Sequence, residues 1–221
     1  MPEDAHPALP PDSEALARFL TLGMSLNYQR NSYALWRACA VAHGDPRTGW
    51  VFDPQAAADA DLADLGEALL RHRVALQPNK HPQIWRANAR GLVRHADGQV
   101  REMFVRCGHA IPEILAFIQA RRADFPYLCG PKIGNYWLYV MSQYMAWPLT
   151  GRDALSIAPD RHVIAASRQL GLLAADAPAR PLELAETWRG VLADTPLSPI
   201  DLHTPLWLWS RLGCPPIEVG S

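Results

Sequence analysis

The sequence predicts an all-α protein, and the spacing of its apolar residues is the main reason. Apolar side chains recur every three or four residues through most of the 221-residue chain, which is the period of one face of a helix. No window alternates apolar and polar residues over a length that would demand a strand. Because 49% of the residues are hydrophobic, the chain can bury a sizeable core.

The predicted helices follow one another along the chain, and we expect roughly eight to ten of them. The proline-rich residues 1–12 are predicted to form a flexible tail, and residues 13–221 a single domain. Ser13 can cap the first helix, Pro112 can open a helix in its first turn, and Gly171 can end the helix that starts at Asp160. The predicted helical segments are 13–24, 29–42, 54–70, 82–96, 112–118, a hairpin and helix within 125–147, 160–170, 182–192 and 202–212.

Composition and charge narrow the class of protein. No apolar run reaches the roughly 18–20 residues that a membrane helix needs. The chain begins Met-Pro-Glu-Asp, without the basic and apolar regions of a signal peptide, so we expect a cytoplasmic protein with no membrane partner. With 21 basic and 22 acidic residues the net charge is −1. This balance counts mildly against a nucleic-acid binder, although one basic face is enough for binding.

One predicted helix concentrates basic residues. Arg86, Arg90 and Arg94 recur every four residues in the segment 82–96, so they share one helix face. Both a solvated face and a phosphate-contacting surface fit this pattern.

The cysteines give no sign of a metal site. Cys39, Cys107, Cys129 and Cys214 are far apart and form no C-x-x-C pair, the spacing that zinc sites and iron–sulfur loops use. We therefore expect neither a metal nor a cofactor.

A glycine-containing corner lies between two helical patterns. Gly130 is followed by Lys132 and Gly134. Glycines at a tight corner let backbone N–H groups approach an anion, and the next helix points its positive dipole end at the same place. This pattern predicts a hairpin that grips a phosphate, although ordinary turns between helices also use glycine and proline.

Asp160 stands at the predicted start of a helix, after Pro159 and before Arg161, His162 and Val163. A carboxylate in this position is an N-cap candidate. Its place after the glycine hairpin and an apolar helix makes it a candidate catalytic residue as well. Asp201 and His203 form a second such pair, for which a cap followed by a buried aromatic helix is the plainer interpretation.

Together these segments resemble the helix-hairpin-helix DNA glycosylase superfamily, in a form without the iron–sulfur cluster. Leu128, Gly130 and Gly134 stand where that family has its Leu-Pro-Gly-Val-Gly hairpin. The family's Val-Asp-x-His-Val segment, with its later Arg and Leu-Gly, is matched by Asp160, His162, Val163, Arg168 and Leu170-Gly171. Residues 26–31 look like the family's early Leu-Ser-x-Gln-x-Thr segment. The resemblance implies two helical lobes around a central cleft.

The resemblance also implies roles for individual residues. Asp160 is the expected catalytic carboxylate, and Gln29 is expected to wedge into the gap that a flipped base leaves. Gly130, Lys132, Gly134, Arg161 and His162 are expected to contact DNA. The expected walls of the base pocket are Tyr28, Trp36, Tyr136 and Trp137, each of which could instead belong to the core.

The expected reaction is hydrolysis of a glycosidic bond in double-stranded DNA. No lysine stands where bifunctional members carry one, so a monofunctional, monomeric enzyme that leaves an abasic site is predicted. Whether Lys132 adds lyase activity stays open, as does the base that is removed, which could be damaged or a hypermodified phage base. A nucleotide or nucleoside N-glycosidase and a non-catalytic DNA-binding module are the alternative interpretations.

Overall fold

The computed structural model describes residues 1–157 and 160–217, apart from the Pro181 side chain. Within these ranges the protein has eleven α-helices and no β-strand, which confirms the predicted all-α class. The helices are α1 (Glu14–Met24), α2 (Ser32–Gly44), α3 (Pro54–Asp59), α4 (Leu62–Arg71), α5 (His81–Ala96), α6 (Val100–Arg106), α7 (Ile111–Gln119), α8 (Pro131–Tyr144), α9 (Arg161–Gln169), α10 (Pro181–Val191) and α11 (His203–Arg211). The chain divides into two compact units, Met1–Arg152 and Asp153–Ser221; residues 218–221, the end of the predicted domain, lie outside the described residues.

Two short helices differ from the sequence prediction. The segment 54–70 forms two helices, because Ala60 is extended and the Asp61 side chain caps a new helix by accepting a hydrogen bond from the Ala63 amide at 2.7 Å. Helix α6 was not predicted. It has only seven residues, yet it buries Val100, Met103 and Phe104, so its stability comes from packing rather than from its own length.

The first unit is built around α1. Nearly every residue from Leu16 to Leu26 is buried, as expected for a helix that other helices surround. The predicted cap is confirmed, since the Ser13 hydroxyl accepts a hydrogen bond from the Leu16 amide at 3.2 Å. Helices α2, α5, α6 and α8 all contact α1, so the segments with predicted DNA contacts at residues 28–29 and 130–134 share this core.

The start of the predicted flexible tail is packed instead. Residues Pro2–Ala5 form a 3-10 turn that contacts α2, with Pro2 and Glu3 buried. The Tyr136 hydroxyl donates to Glu3 Oε2 at 3.0 Å. Burial raises the pKa of the Glu3 carboxyl to about 7, although the hydrogen bonds that it accepts oppose the rise. Residues 2–5 are therefore packed against α2 and Tyr136, through contacts that the sequence pattern does not reveal.

The loop of residues 120–130, which joins α7 to α8, lies directly on α5. A Cβ atom at Gly91 would stand 2.6 Å from the Asp124 carbonyl oxygen, so only glycine permits this close contact. The Asn88 side-chain amide donates to the Pro126 carbonyl at 3.0 Å. The loop is thus long but firmly held.

The second unit has a small core of its own. Helices α9, α10 and α11 contribute Val163, Leu184, Trp188 and Leu206 to it, and Ile157, which precedes α9, packs with them. The Trp188 indole N–H donates to the Ser167 hydroxyl at 3.0 Å. Helix α9 ends as predicted, because Gly171 adopts φ +76° just after it, a conformation that glycine tolerates best.

Candidate functional site

Asp160 is the N-cap of α9. Its Oδ1 accepts hydrogen bonds from the His162 amide at 2.9 Å and from the Val163 amide at 3.0 Å. The predicted cap is therefore confirmed, and Oδ2 takes no part in it. The side chain is partly exposed, so its carboxylate is accessible to solvent. Pro159, which precedes Asp160 in the sequence motif, lies outside the described residues.

Arg161 and His162 lie in the first turn of α9. His162 Nδ1 is 3.2 Å from the Ser210 hydroxyl, and its ring contacts Trp207 edge-on at 5.5 Å. The exposed Arg161 donates through Nε to His162 Nε2 at 3.2 Å. Arg161, His162 and Trp207 of α11 thus lie together at one edge of the second unit, and Asp160 is at the start of the same helix as Arg161 and His162.

The predicted hairpin has a different geometry from a tight corner. Eleven residues, 120–130, separate α7 from α8, and Gly130 is the N-cap of α8, its amide donating to the Tyr127 carbonyl at 3.0 Å. Lys132 lies half-buried in the first turn of α8. The turn therefore keeps a helix N-terminus and a lysine together, while the Gly130 amide is already used within it.

Gly134 does not have the role that the sequence predicted. It is buried inside α8, and its amide donates to the Gly130 carbonyl at 2.8 Å. A Cβ atom there would stand 2.8 Å from the Leu128 carbonyl oxygen and 3.0 Å from Leu115. Gly134 therefore allows α8 to pack closely on its surroundings, and its N–H is not available to a phosphate.

Three of the four predicted pocket walls are engaged inside the first unit. Trp36 and Trp137 are fully buried, with Trp36 against Phe19 and the Trp137 indole N–H donating to the Thr21 hydroxyl at 3.1 Å. Tyr136 is largely covered, and its hydroxyl is bonded to Glu3. The prediction that the two tryptophans line an open pocket is wrong, because helical spacing placed them on core faces.

The fourth, Tyr28, is 40% exposed and lies next to Gln29 in the loop between α1 and α2. Gln29 is exposed and adopts φ +50°, a left-handed conformation that is uncommon outside glycine. Tyr127, in the loop before α8, adopts φ +64°. The two tyrosine rings contact each other with centroids 4.9 Å apart.

A third loop, residues 72–80, joins this pair. Lys80 Nζ lies 5.4 Å from the centre of the Tyr127 ring, and that contact raises the pKa of Lys80. Arg30 donates to the carbonyls of Val74 and Arg73 at 2.6 and 3.0 Å. The loops 25–31, 72–80 and 120–130 therefore contact one another in all three pairings, and we call their common surface the three-loop face.

The three-loop face is basic although the whole chain is not. The cations of its three segments are Arg30, Arg73, Lys80, Arg121 and Arg122, against the single carboxylate of Asp124. That carboxylate is bonded to Arg94 at 2.6 Å and His95 at 2.8 Å. Burial and the nearby charges of Arg30 and Lys80 lower the pKa of His81. The three segments therefore carry an excess of cations, which the net charge of −1 for the whole chain conceals.

Two of the three arginines in the α5 stripe, by contrast, bind groups of the protein itself. Arg90 donates to the Ala58 carbonyl at 3.1 Å, and Arg94 pairs with Asp124. Arg106, farther along the chain, pairs with Glu102 and Asp97. Of the two interpretations that the sequence left open for the stripe, these contacts favour a structural role for Arg90 and Arg94.

Sequence reasoning did not single out Tyr127, Arg30 or Arg73. The available signal was the cationic content of the connectors themselves, since 72–80 contains two cations and no acid. Among the described residues, no group of three or more His, Cys, Asp or Glu side chains is arranged to hold a metal ion. The described helices are all too short or too polar to cross a membrane.

No protein-family model, curated protein or solved structure matches the chain.

Proposed function

We propose that the protein is a monofunctional DNA N-glycosylase of helix-hairpin-helix architecture. It flips a modified base out of duplex DNA and hydrolyses the glycosidic bond, leaving an abasic site. In this proposal the two compact units are the two helical lobes of that architecture, and the protein acts as a monomer in the cytoplasm. The observation that supports it most is the contact between the Gln29 loop and the hairpin loop through Tyr28 and Tyr127. These segments are far apart in sequence, and the resemblance implies that both face DNA.

The chemistry of the three-loop face suits this ligand. Exposed aromatic rings can stack on bases that leave the duplex, and the surrounding cations can bind phosphates. Gln29 lies in an exposed turn with a left-handed backbone, an accessible position that suits a wedge residue. Strained backbone of this kind is often retained at binding sites. Lys132 and the start of α8 provide a further phosphate contact.

Asp160 has the catalytic role in this proposal. The sugar becomes positively charged as the glycosidic bond breaks, and an adjacent carboxylate stabilises that charge and orients the attacking water. The cap bonds use Oδ1, so Oδ2 can face the sugar while the helix start holds the side chain in place. No lysine aligns with the lysine nucleophile of bifunctional members, so in this proposal water is the nucleophile.

The cap also favours a second candidate function. Two backbone amides bonded to Oδ1 explain Asp160 without any chemistry, as in a module that binds DNA and does not cleave it. The two candidates differ in one measurable property, the requirement for a negative charge at residue 160.

The test is base release by the purified chain and two matched variants. Asn caps helices about as well as Asp, so Asp160→Asn keeps the helix start and removes the charge. Asp201→Asn is the control, because Asp201 also bonds a backbone amide at a helical turn of the second unit, that of Ser198 at 2.8 Å. The substrates are undamaged, 8-oxoguanine, uracil and alkylated DNA, and phage DNA with modified cytosines.

We expect abasic sites on one substrate, a rate lower by about 100-fold or more in Asp160→Asn, and an unchanged rate in Asp201→Asn. Full activity in Asp160→Asn would remove Asp160 from the chemistry. Binding of duplex DNA without base release on any substrate would favour the accessory module instead.

A further inference from the structure

A groove of about 580 Å³ lies along the exposed side of α2, entirely within the first unit. Its floor is apolar and shallow, because Ala34, Ala38 and Val41 recur on one face of the helix. Its basic residues are Arg30, Arg37 and Arg73, and His72 lies beside them. No acidic side chain lines it.

The arginines of this groove lack counterions. In residues 1–157 and 160–217, no hydrogen bond or ion pair engages the guanidinium of Arg37 or Arg73. Arg30 donates only to backbone carbonyls, and its buried Nε has no partner among the described residues. Burial lowers the pKa of Arg30, and the charge of Arg73 lowers it further. Like charges held together without an acid between them favour the binding of an anion.

The groove is continuous with the three-loop face. Arg30 follows Gln29 directly, and Arg73 belongs to the same loop as Lys80, which contacts Tyr127. Arg73 also adopts a left-handed backbone, with φ +63°. The N-terminus of α2, capped by the Asn31 side chain, opens at the same place and adds its positive dipole end.

We propose that this groove binds the sugar–phosphate backbone of one DNA strand beside the flipped base. The inference rests on the proposed function, and it adds a binding surface that the sequence resemblance does not include. From Ala34 to Val41 the floor runs roughly 10 Å along the helix axis, which corresponds to about three nucleotide steps measured along the axis of a duplex. Three guanidiniums bind the phosphates, and the small apolar floor contacts the deoxyriboses.

The test is the salt dependence of binding by the full chain to duplex DNA. The duplex contains the base that the wild type releases or, if the wild type releases none, is undamaged. Each neutralised phosphate contact changes the slope of log K against log salt by about 0.9. Arg37→Gln with Arg73→Gln therefore reduces the slope by about 2, which is roughly a ten-fold change in affinity between 50 and 200 mM salt. Arg30 is left in place because it connects two loops.

The control is Arg71→Gln with Arg106→Gln. This pair removes the same charge from exposed arginines that already pair with Glu67, Glu102 and Asp97. We expect its slope to stay within about 0.5 of the wild type, since neither residue contacts phosphate in this proposal. Equal melting temperatures for both variants and the wild type show that the slopes report binding and not unfolding.

If the slope of the groove variant equals that of the wild type, and the wild type releases a base, the groove proposal is wrong and the proposed function is retained. A reduced slope in a protein that releases no base supports the groove and removes the glycosylase. Displacement of the duplex by a millimolar deoxynucleoside monophosphate, from the wild type but not the groove variant, assigns the groove to free nucleotides and overturns the DNA proposal.

Discussion

The first unit contains two sets of arginines that look alike in sequence and differ in structure. Arg90 and Arg94 of α5 make hydrogen bonds to protein groups, Arg90 to the Ala58 carbonyl and Arg94 to the Asp124 carboxylate. Arg37 and Arg73 of the α2 groove make no hydrogen bond or ion pair through their guanidiniums among the described residues. Regular helical spacing identified the first set, and no periodic pattern identified the second. The lesson is that the partners of a cation, and not its spacing, indicate what it binds.

Gly91→Ala is expected to have the largest effect on stability among these predictions. Gly91 lies on α5 between Arg90 and Arg94, the arginines that bind groups of the protein itself. A Cβ atom there meets the Asp124 carbonyl at 2.6 Å and the Phe125 ring at 3.0 Å. We expect Gly91→Ala to lower the free energy of unfolding by about 2–4 kcal/mol, even though alanine is the better helix former. Urea unfolding followed by circular dichroism measures the change.

The matched control for Gly91 is Gly44→Ala. Gly44 is also helical and has nothing within 4 Å of the added Cβ, so we expect no loss of stability. If both substitutions were equally mild, the contact between loop 120–130 and α5 would be looser than these distances indicate.

Among the carboxylates, buried Glu3 makes the stability of the protein depend on pH. Its pKa is raised from 4.5 to about 7 by burial, so the folded state binds a proton more tightly than the unfolded state. Stability from this group is fully present below pH 4.5 and is lost as the pH rises to about 7. At about 1.4 kcal/mol per pKa unit, the loss is on the order of 3 kcal/mol.

Glu3→Gln removes this titration and keeps an oxygen that can accept from the Tyr136 hydroxyl. We expect the variant to be more stable than the wild type at about pH 8 and similar to it at about pH 4.5, by the linkage above. Parallel stability curves across this range would mean that Glu3 is ionised in the folded protein.

The contribution of Asp124 to stability depends on pH in the opposite direction to that of Glu3. The hydrogen bond from His95, with help from the Arg94 charge, lowers its pKa, so its stabilising contribution is present at neutral pH and is lost as the pH falls through that lowered value. We expect Asp124→Ala to destabilise the protein by about 1–2 kcal/mol at pH 7 and by less in acid. Arg122→Ala, in the same loop, is the control with no expected change. A penalty for Asp124→Ala that stays constant into acid would assign its role to packing alone.

The sequence was sufficient for the features that local chemistry determines. The helical class, the cap at Ser13, the cap at Asp160 and the stop at Gly171 all depend on neighbours within a few residues. The three-loop face depends on contacts such as Tyr28 with Tyr127, which join residues that local periodicity cannot relate. The roles of Trp36 and Trp137 were uncertain for a similar reason, since the same helical spacing suits a core face and a pocket wall.

Tyr127 provides the smallest expected effect on stability and therefore the sharpest contrast with Gly91. Its ring contacts the exposed Tyr28 and Lys80 at the surface. Alanine has to adopt the same left-handed backbone as tyrosine at this position, so the substitution leaves that backbone strain unchanged. We expect Tyr127→Ala to change the free energy of unfolding by less than about 0.5 kcal/mol while weakening DNA binding about ten-fold, because a stacked base contributes about 1–3 kcal/mol. Tyr127→Phe keeps the ring and should retain most of the affinity, which separates stacking from the hydroxyl contact with Lys80. Melting temperature and duplex affinity measured on the same samples decide the matter: a loss of stability without a loss of affinity would place Tyr127 with the residues that hold the fold, and the DNA-binding face would then have to be sought elsewhere.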